Sequence, residues 1–272
     1  MPTFNTNIAA LGVQRALTDH SQGLGKAMAE LSSGLRVNSA ADDAASLAIG
    51  QQMSARILSL NQAVRNANDG ISMVQTADGA TQIMVDMLGR MRELAIQASS
   101  DTYGDEDRAA LNTEFGELKN AMTTIIQNTQ WNGKKLLDTS AASATYQVGA
   151  SGVATDGVSV SFTDMSNLTV LSATGLTNRA NAASAMGNVE TDLATINSQR
   201  ASWGASMNRL SHAADSSANV SMNLSSSKSQ LLDADYAKAT ADLARAQIMQ
   251  AAGTAMLSQA NQQGVMVLHL LS

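Results

Sequence analysis

Few side chains in this 272-residue chain have the type and spacing that chemistry requires. Histidine occurs at His20, His212 and His269 alone, and none of them belongs to the HExxH pattern that binds zinc. Asp42 and Asp43 are adjacent carboxylates, but acidic residues in the first turn of a helix are better explained by the helix dipole than by a metal ion. No glycine-rich phosphate-binding loop is present. The sequence therefore predicts a protein that is not an enzyme and that holds no cofactor or metal ion.

The composition excludes some partners. A net charge of −6 and a pI near 5.0 argue against nucleic-acid binding, which needs a basic surface. Aromatic residues make up only 3% of the chain, which suits helices packed through Ala, Leu, Ile and Met. Cysteine is absent, as expected of a secreted chain that must stay uncrosslinked, although many bacterial proteins also lack it. No basic stretch followed by an apolar core marks an ordinary signal peptide.

The C-terminal segment, residues 246–272, contains no Lys, Arg, Asp or Glu. An uncharged helix is a poor surface helix, and its Gln and Asn residues make it a poor membrane span. We therefore expect it to pair with the sparsely charged segment 5–34, and we expect neighbouring copies of the protein to bury the pair. Steps of four and three predict the following coiled-coil seam: Ile248, Ala252, Ala255, Gln259, Gln262 and Met266.

The N-terminal half predicts a series of helices. The first begins near Asn5 or Thr6 and ends near Gly34, and a Ser39-x-x-Asp42 capping box starts the second. Asn66 to Gly70 predicts a loosening of the chain. A helical hairpin follows, with its turn at Ser99 to Gly104. Its first helix carries an apolar stripe at three- and four-residue steps: Ile71, Val74, Ala77, Thr81, Met84, Leu88, Met91 and Ala95.

The rest of the chain predicts a small β region and a long helix. Trp131-Asn132-Gly133 is a tight-turn signal, and short alternating runs at 145–148, 158–162 and 168–171 predict strands, with a hairpin turn at Asp156-Gly157. A helix from about 178 to 229 carries a heptad stripe that predicts left-handed supercoiling. This stripe comprises Met186, Val189, Leu193, Ile196, Arg200, Trp203, Met207, Leu210 and Ala214.

These elements predict a mainly α fold: a long coiled-coil helical bundle with a small β-hairpin region and with the two termini paired in an α-helical coiled coil. Two domains are expected. Residues 1–45 with 230–272 form an inner coiled-coil domain, and residues 46–229 form an outer helical rod that includes the β region at about 139–177.

Several long strings, in the same order, resemble bacterial flagellins. They are LSSGLRVNSAADDAASLAIGQQM from Leu31, NANDGISMVQTADGA from Asn66, MRELAIQASSDT from Met91, TQWNGKKLL from Thr129 and LDADYAKATADLARAQIMQAAGTAMLSQANQ from Leu232. No single string would suffice, but together they are specific. The resemblance covers roughly residues 1–138 and 179–272, and the large outer surface domains of longer flagellins have no counterpart.

The resemblance implies a structural subunit of the flagellar filament. Such proteins are exported unfolded by the flagellar type III system, and a cytosolic chaperone binds their C-terminal segment before export. They then polymerise under a cap protein, onto a filament that starts at the junction proteins. The expected location is therefore the extracellular filament, with no membrane span and no nucleic-acid partner. The residues expected to pack in the core tube are Ile8, Leu11, Leu31, Leu35, Ile248, Ala252, Ala255, Met266, Leu268, Leu270 and Leu271.

A second surface follows from the resemblance. In similar flagellins, host Toll-like receptor 5 docks on the helical hairpin, and the same patch packs between subunits. The matching positions in this chain are Arg90, Leu94 and Glu114, with Arg92, Glu93 and Gln97 beside them.

Three other functions remain as alternatives. A hook–filament junction protein has related ends, although the intact string ARAQIMQAAGTAMLSQANQ favours a flagellin. A chemoreceptor-type signalling coiled coil would need a membrane span or a sensor domain. A secreted enzyme on the same scaffold would need an inserted domain between Thr139 and Thr177, where the chain is too short for one.

Overall fold

The computed structural model describes residues 6–140, 143–150, 152–153 and 156–271, with the backbone alone for residues 263–271. Within these residues the fold is mainly α, as predicted. The helices are α1 (Ile8–Ser33), α2 (Ala40–Ala98), α3 (Asp105–Asn128), α4 (Arg179–Leu232) and α5 (Tyr236–Leu271). The strands are β1 (Gln130–Trp131), β2 (Lys134–Lys135), β3 (Ala144–Gln147) and β4 (Gly157–Val160).

The contacts divide the chain into two units. The first comprises Met1–Ala55 with Asn223–Ser272, and the second comprises Arg56–Met222. Both divisions fall inside long helices, one in α2 and one in α4, so each of these helices contributes residues to both units.

Capping residues set the ends of α1 and the start of α2. Asn7 accepts a hydrogen bond from the Ala10 N–H at 3.0 Å, and Gly34 ends α1 in the left-handed conformation, at φ 71°. Half of the predicted capping box forms, since the Asp42 carboxylate accepts from the Ser39 N–H at 3.0 Å while the Ser39 hydroxyl donates to the same carboxylate instead of accepting from the Asp42 N–H. The backbone of Asp43 is not helical, at φ −163° and ψ 98°. Asp43 instead caps the long continuous part of α2 by accepting from the Ser46 N–H at 3.0 Å.

The core of the second unit is a heptad stripe on α2 packed against α4. The α2 stripe is buried throughout and runs Leu60, Ala63, Ala67, Gly70, Val74, Ala77, Thr81, Met84, Leu88, Met91, Ala95 and Ala98. The predicted stripe on α4 is buried or half-buried along its whole length, and Trp203 and Leu210 are fully buried. A sustained period of seven therefore positions this pair of helices.

The predicted loosening at Asn66 to Gly70 is wrong, because α2 runs through this segment without a break. The small residues there serve packing rather than a turn. A Cβ atom added to Gly70 would lie 3.0 Å from Cγ of Tyr146 and 3.1 Å from Cδ1 of Leu210. Gly70 thus lets the ring of Tyr146 in β3 approach the helix closely.

Two antiparallel hairpins form within the described residues. β1 and β2 are joined by Asn132 and Gly133, whose φ angles of 47° and 77° confirm the predicted tight turn. β3 pairs with β4, with Ala144 opposite Val160 and Gln147 opposite Gly157. The predicted turn at Asp156-Gly157 is wrong, because Gly157 already belongs to β4.

The predicted strand at 168–171 is also wrong, because Thr169–Ser172 forms a 3-10 helix. Asp192 of α4 determines this. Its carboxylate, only 2% exposed, accepts from the N–H groups of Thr169 and Val170 at 2.9 and 2.8 Å and from the Thr169 hydroxyl at 2.9 Å. A buried carboxylate that satisfies the free N–H groups of a helix start favours a helical turn over a strand.

Candidate interaction surfaces

The terminal helices α1 and α5 pair antiparallel within the first unit. The Asn7 side-chain amide donates to the Ala260 carbonyl at 2.9 Å, and the Tyr236 hydroxyl donates to the Leu31 carbonyl at 3.0 Å. Between these points, a Cβ atom on Gly253 would lie 3.1 Å from Cγ of Leu17. These contacts, which connect opposite ends of the two helices, pair the termini as predicted.

The seam between the two helices differs from the predicted one. The residues of α5 that turn towards α1 are buried or half-buried at steps of four and three: Ala239, Leu243, Ala246, Gln250, Gly253, Leu257 and Ala260. The predicted residues Ile248, Ala252, Ala255, Gln259 and Gln262 are exposed, and Ile248 is 68% exposed. Two residues separate the stripes, about 200° around the helix, so the predicted stripe faces away from α1.

On α1 and just after its end, the predicted core-tube residues divide into half-buried and exposed ones. Leu31 and Leu35 are half-buried, whereas Ile8 and Leu11 are 65% and 55% exposed. The side chains of Met266, Leu268, Leu270 and Leu271 lie outside the described residues. Their packing therefore stays a prediction, as does the packing of the exposed residues between copies.

The pair consequently has an apolar outer face. Large apolar side chains stand exposed on both helices, and the outer face is defined by Ile8, Leu11, Met28, Ile248, Met249 and Met256. Large apolar side chains that are exposed at several places on a helix pair favour association with another protein surface. What the outer face can do chemically is associate with another apolar surface.

Two backbone hydrogen bonds, here called the clasp, join the residues that follow α1 to the residues that precede α5. The Arg36 N–H donates to the Leu232 carbonyl at 2.7 Å, and the Ala234 N–H donates to the Gly34 carbonyl at 2.9 Å. Val37 and Leu232, next to these bonds, are 1% and 5% exposed. The clasp fixes the end of α1 next to the start of α5.

The helical hairpin carries the second candidate surface. Arg90 of α2 donates to Glu114 of α3 at 2.8 Å and to Glu93 at 2.9 Å, and all three side chains are about half exposed or more. The hydrogen bond to Glu114, and then that to Glu93, raises the pKa of the Arg90 guanidinium above its ordinary value. Gln97 donates to the Tyr103 hydroxyl at 3.0 Å. Arg90, Glu93, Gln97 and Glu114 form a polar surface on the hairpin. Arg92 is exposed as well, but it lies two residues from Arg90 and so about 200° around the helix.

Leu94 does not belong to that surface. Its side chain is 1% exposed and lies in the apolar core with Met91 and Phe115. The heptad stripe turns this position inward, so the folded hairpin does not expose Leu94, and its contact with a docked partner stays a prediction.

Sequence reasoning missed a partly buried ion pair. Arg200 occupies a stripe position on α4 where the other members are apolar, and its guanidinium donates to both carboxylate oxygens of Asp78, at 2.7 and 3.4 Å. The hydrogen bond to Asp78 raises the pKa of Arg200. A charged residue in an otherwise apolar stripe was the signal for such a partner on α2.

Comparison with known proteins identifies the family. A model of the bacterial flagellin N-terminal helical region matches residues 4–142, and a model of the C-terminal helical region matches residues 186–271. The chain belongs to the flagellin family. It is 41% identical to the flagellin of Halalkalibacterium halodurans over 269 residues, covering 98% of this chain and 99% of that protein. It is 34% identical to the flagellar filament 33 kDa core protein of Treponema phagedenis over 287 residues, with the same coverage of each chain.

A solved flagellin shares part of the fold. The crystal structure of Bacillus cereus flagellin matches with a TM-score of 0.52 and 31% identity, covering 56% of this chain and 88% of that chain. As a family of structural filament proteins, flagellins are not enzymes. Among the described helices, none is both long enough and apolar enough to span a bilayer.

Proposed function

We propose that this chain is the structural subunit of a bacterial flagellar filament and that it assembles by burying the outer face of its paired terminal helices. The observation that carries the proposal is the apolar outer face itself, on the terminal pair of a flagellin. The relatives above are named as flagellins and as a filament core protein, and none of them favours the junction-protein alternative.

The energetics of the outer face support association. Ile8 and Ile248 are each more than half exposed in the single chain. Fully burying a side chain of this size stabilises a complex by about 1.5–3 kcal/mol. Several such residues on each copy, repeated along a polymer, supply a driving force that a single chain does not use. The filament core then consists of residues 1–45 with 230–272, and residues 46–229 form the outer rod.

The same chemistry supports export and its partners. A C-terminal segment without charge is apolar enough to aggregate when unfolded, so a cytosolic chaperone on that segment fits transit through the type III system. The absence of cysteine suits unfolded passage. Assembly beneath a cap protein, onto junction proteins, places the polymer outside the cell.

The hairpin surface supports recognition by host Toll-like receptor 5. Arg90, Arg92, Glu93, Gln97 and Glu114 are exposed and carry alternating charge that a polar partner can match. The ion pair between Arg90 and Glu114 holds two of these groups in fixed positions across the two helices.

Seeded elongation tests the assembly. Ile248→Glu introduces a charge that burial between copies would leave unpaired, so elongation from filament seeds should stop. Ile248→Leu is the matched control, because it keeps an apolar side chain of the same size, and it should elongate like the wild type. Circular dichroism should show the same helical content for both monomers. Elongation of Ile248→Glu at the wild-type rate would overturn the proposal.

A further inference from the structure

The seam between α1 and α5 consists of ordered layers. Seven of the buried and half-buried residues of α1 also follow steps of three and four, and they are Ala10, Val13, Leu17, His20, Leu24, Ala27 and Leu31; half-buried Glu30 lies beside this stripe. Leu17 meets Gly253, which fixes the register. Because both helices keep a period of seven, each α1 position then faces one α5 position. The layers are Ala10 with Ala260, Val13 with Leu257, Leu17 with Gly253, His20 with Gln250, Leu24 with Ala246, Ala27 with Leu243, and Leu31 with Ala239.

One layer differs in chemistry from the rest. His20 and Gln250 are the polar pair, and the other six layers contain only apolar residues or glycine. Both side chains are half-buried, so their polar atoms are partly removed from water. A single polar layer in an otherwise apolar coiled-coil seam costs stability but can specify how the helices align.

The apolar layers alone do not define the alignment. A slip of one heptad, about 10 Å along the helix, would pair Leu17 with Ala246 or with Ala260. In either case a large residue still faces a small one, as it does in the observed layer with Gly253. The polar layer behaves differently, because a slip places His20 opposite Leu243 or Leu257 and leaves Gln250 opposite Val13 or Ala27.

The clasp holds one end of the pair in this register, and we propose that His20 and Gln250 are positioning residues that keep the seam beyond the clasp in register. In the observed register the two polar side chains lie in the same half-buried layer. Slipped, each would face an apolar residue and lose hydrogen-bonding partners. The role concerns pairing within one chain and is separate from assembly between copies.

Cysteine cross-linking tests the register, since the chain contains no cysteine of its own. Leu17→Cys with Gly253→Cys reports the observed register, because the two side chains are close enough for a disulfide. Leu17→Cys with Ala246→Cys and Leu17→Cys with Ala260→Cys report the two slips. Each pair is oxidised in the full chain, both as monomer and after seeded elongation, and products at monomer mass count as cross-links within one chain.

In the native background, the yield of the 17–253 product should exceed that of either slipped product about tenfold. This ratio corresponds to the free-energy cost of placing one polar side chain opposite an apolar residue. In a His20→Leu/Gln250→Leu background the slipped products should rise by about tenfold, although the seam becomes more apolar. His20→Asn with native Gln250 keeps a polar layer and should keep the native excess of the 17–253 product.

Three results would overturn the proposal. The first is an exclusive 17–253 product in the double-leucine background, which would assign the register to the clasp and the apolar layers. The second is equal yield of all three products in the native background. The third is no product from any pair in either form, which would contradict the helix pairing itself. If seeded elongation fails, that failure contradicts the filament proposal. The register is then decided by the cross-linked products of the monomer.

Discussion

Replacing Arg90 and Leu94 by alanine should affect the hairpin by two different routes, although both positions belong to the surface predicted to bind a receptor. Arg90 is exposed and its ion pair with Glu114 is screened by water, so Arg90→Ala should leave the unfolding curve unchanged. Leu94 is 1% exposed, and its truncation leaves a cavity among buried residues. Leu94→Ala should therefore lower the free energy of unfolding by about 2–5 kcal/mol.

Two assays separate these routes. Chemical unfolding of the monomer, followed by the fluorescence of buried Trp203 and by circular dichroism, measures stability. A cell reporter for Toll-like receptor 5 measures docking. Arg90→Ala should reduce the reporter signal without a change in stability, and exposed Arg209→Ala serves as its control with neither effect. Leu94→Ala should behave like the buried control Leu88→Ala, with reduced stability.

Either of two results would refute this reasoning. If Leu94→Ala kept wild-type stability while it abolished the reporter signal, Leu94 would be a direct contact and its burial in the free hairpin would not matter. If Arg90→Ala left the signal unchanged, the polar surface around Arg90 would not be the docking site.

Other replacements test the second unit and the start of α2. Asp192→Ala removes the acceptor of three hydrogen bonds and should cost about 3 kcal/mol or more in urea unfolding, whereas exposed Glu190→Ala on the same helix should change little. Gly70→Ala should destabilise the unit by about 1–3 kcal/mol because the new methyl group meets Tyr146, whereas Gly79→Ala, with open space around it, should stabilise by about 0.5–1 kcal/mol in the same assay. Hydrogen bonds from Ser46 lower the pKa of Asp43. The stabilisation that the Asp43 carboxylate gives to the start of α2 is therefore complete above the ordinary pKa of 3.8, and it is lost as the pH falls through the lowered pKa. Asp43→Asn keeps a capping oxygen without a titrating group, and an acid titration of helical content should show a smaller loss below that pH than in the wild type; equal losses would contradict the assignment.

The features that local chemistry determines were predictable from the sequence. Gly34 ends α1, and Asn132-Gly133 makes a two-residue hairpin, because each places a suitable residue at a positive φ angle. The stripes on α2 and α4 were predictable because large apolar residues recur at steps of three and four among small and polar ones, which favours one buried face.

The seam of α5 was not predictable in the same way. This helix is uncharged over its C-terminal half, so Ile248 and Ala246 each start a plausible stripe, and periodicity alone does not choose between them. The choice depends on α1, which supplies large residues such as Leu17 opposite small ones such as Gly253. Tertiary contacts also decided the 3-10 helix at Thr169, which depends on Asp192 from a distant part of the chain.

Methionine oxidation measures most directly whether neighbouring copies bury the outer face. In the monomer, Met28, Met249 and Met256 are 57%, 44% and 59% exposed, whereas Met84 and Met91 are fully buried and serve as internal references. Brief peroxide treatment followed by peptide mass spectrometry should find the three exposed methionines oxidised in the monomer and protected in seeded filaments. Equal oxidation of these three residues in monomer and filament would contradict the account.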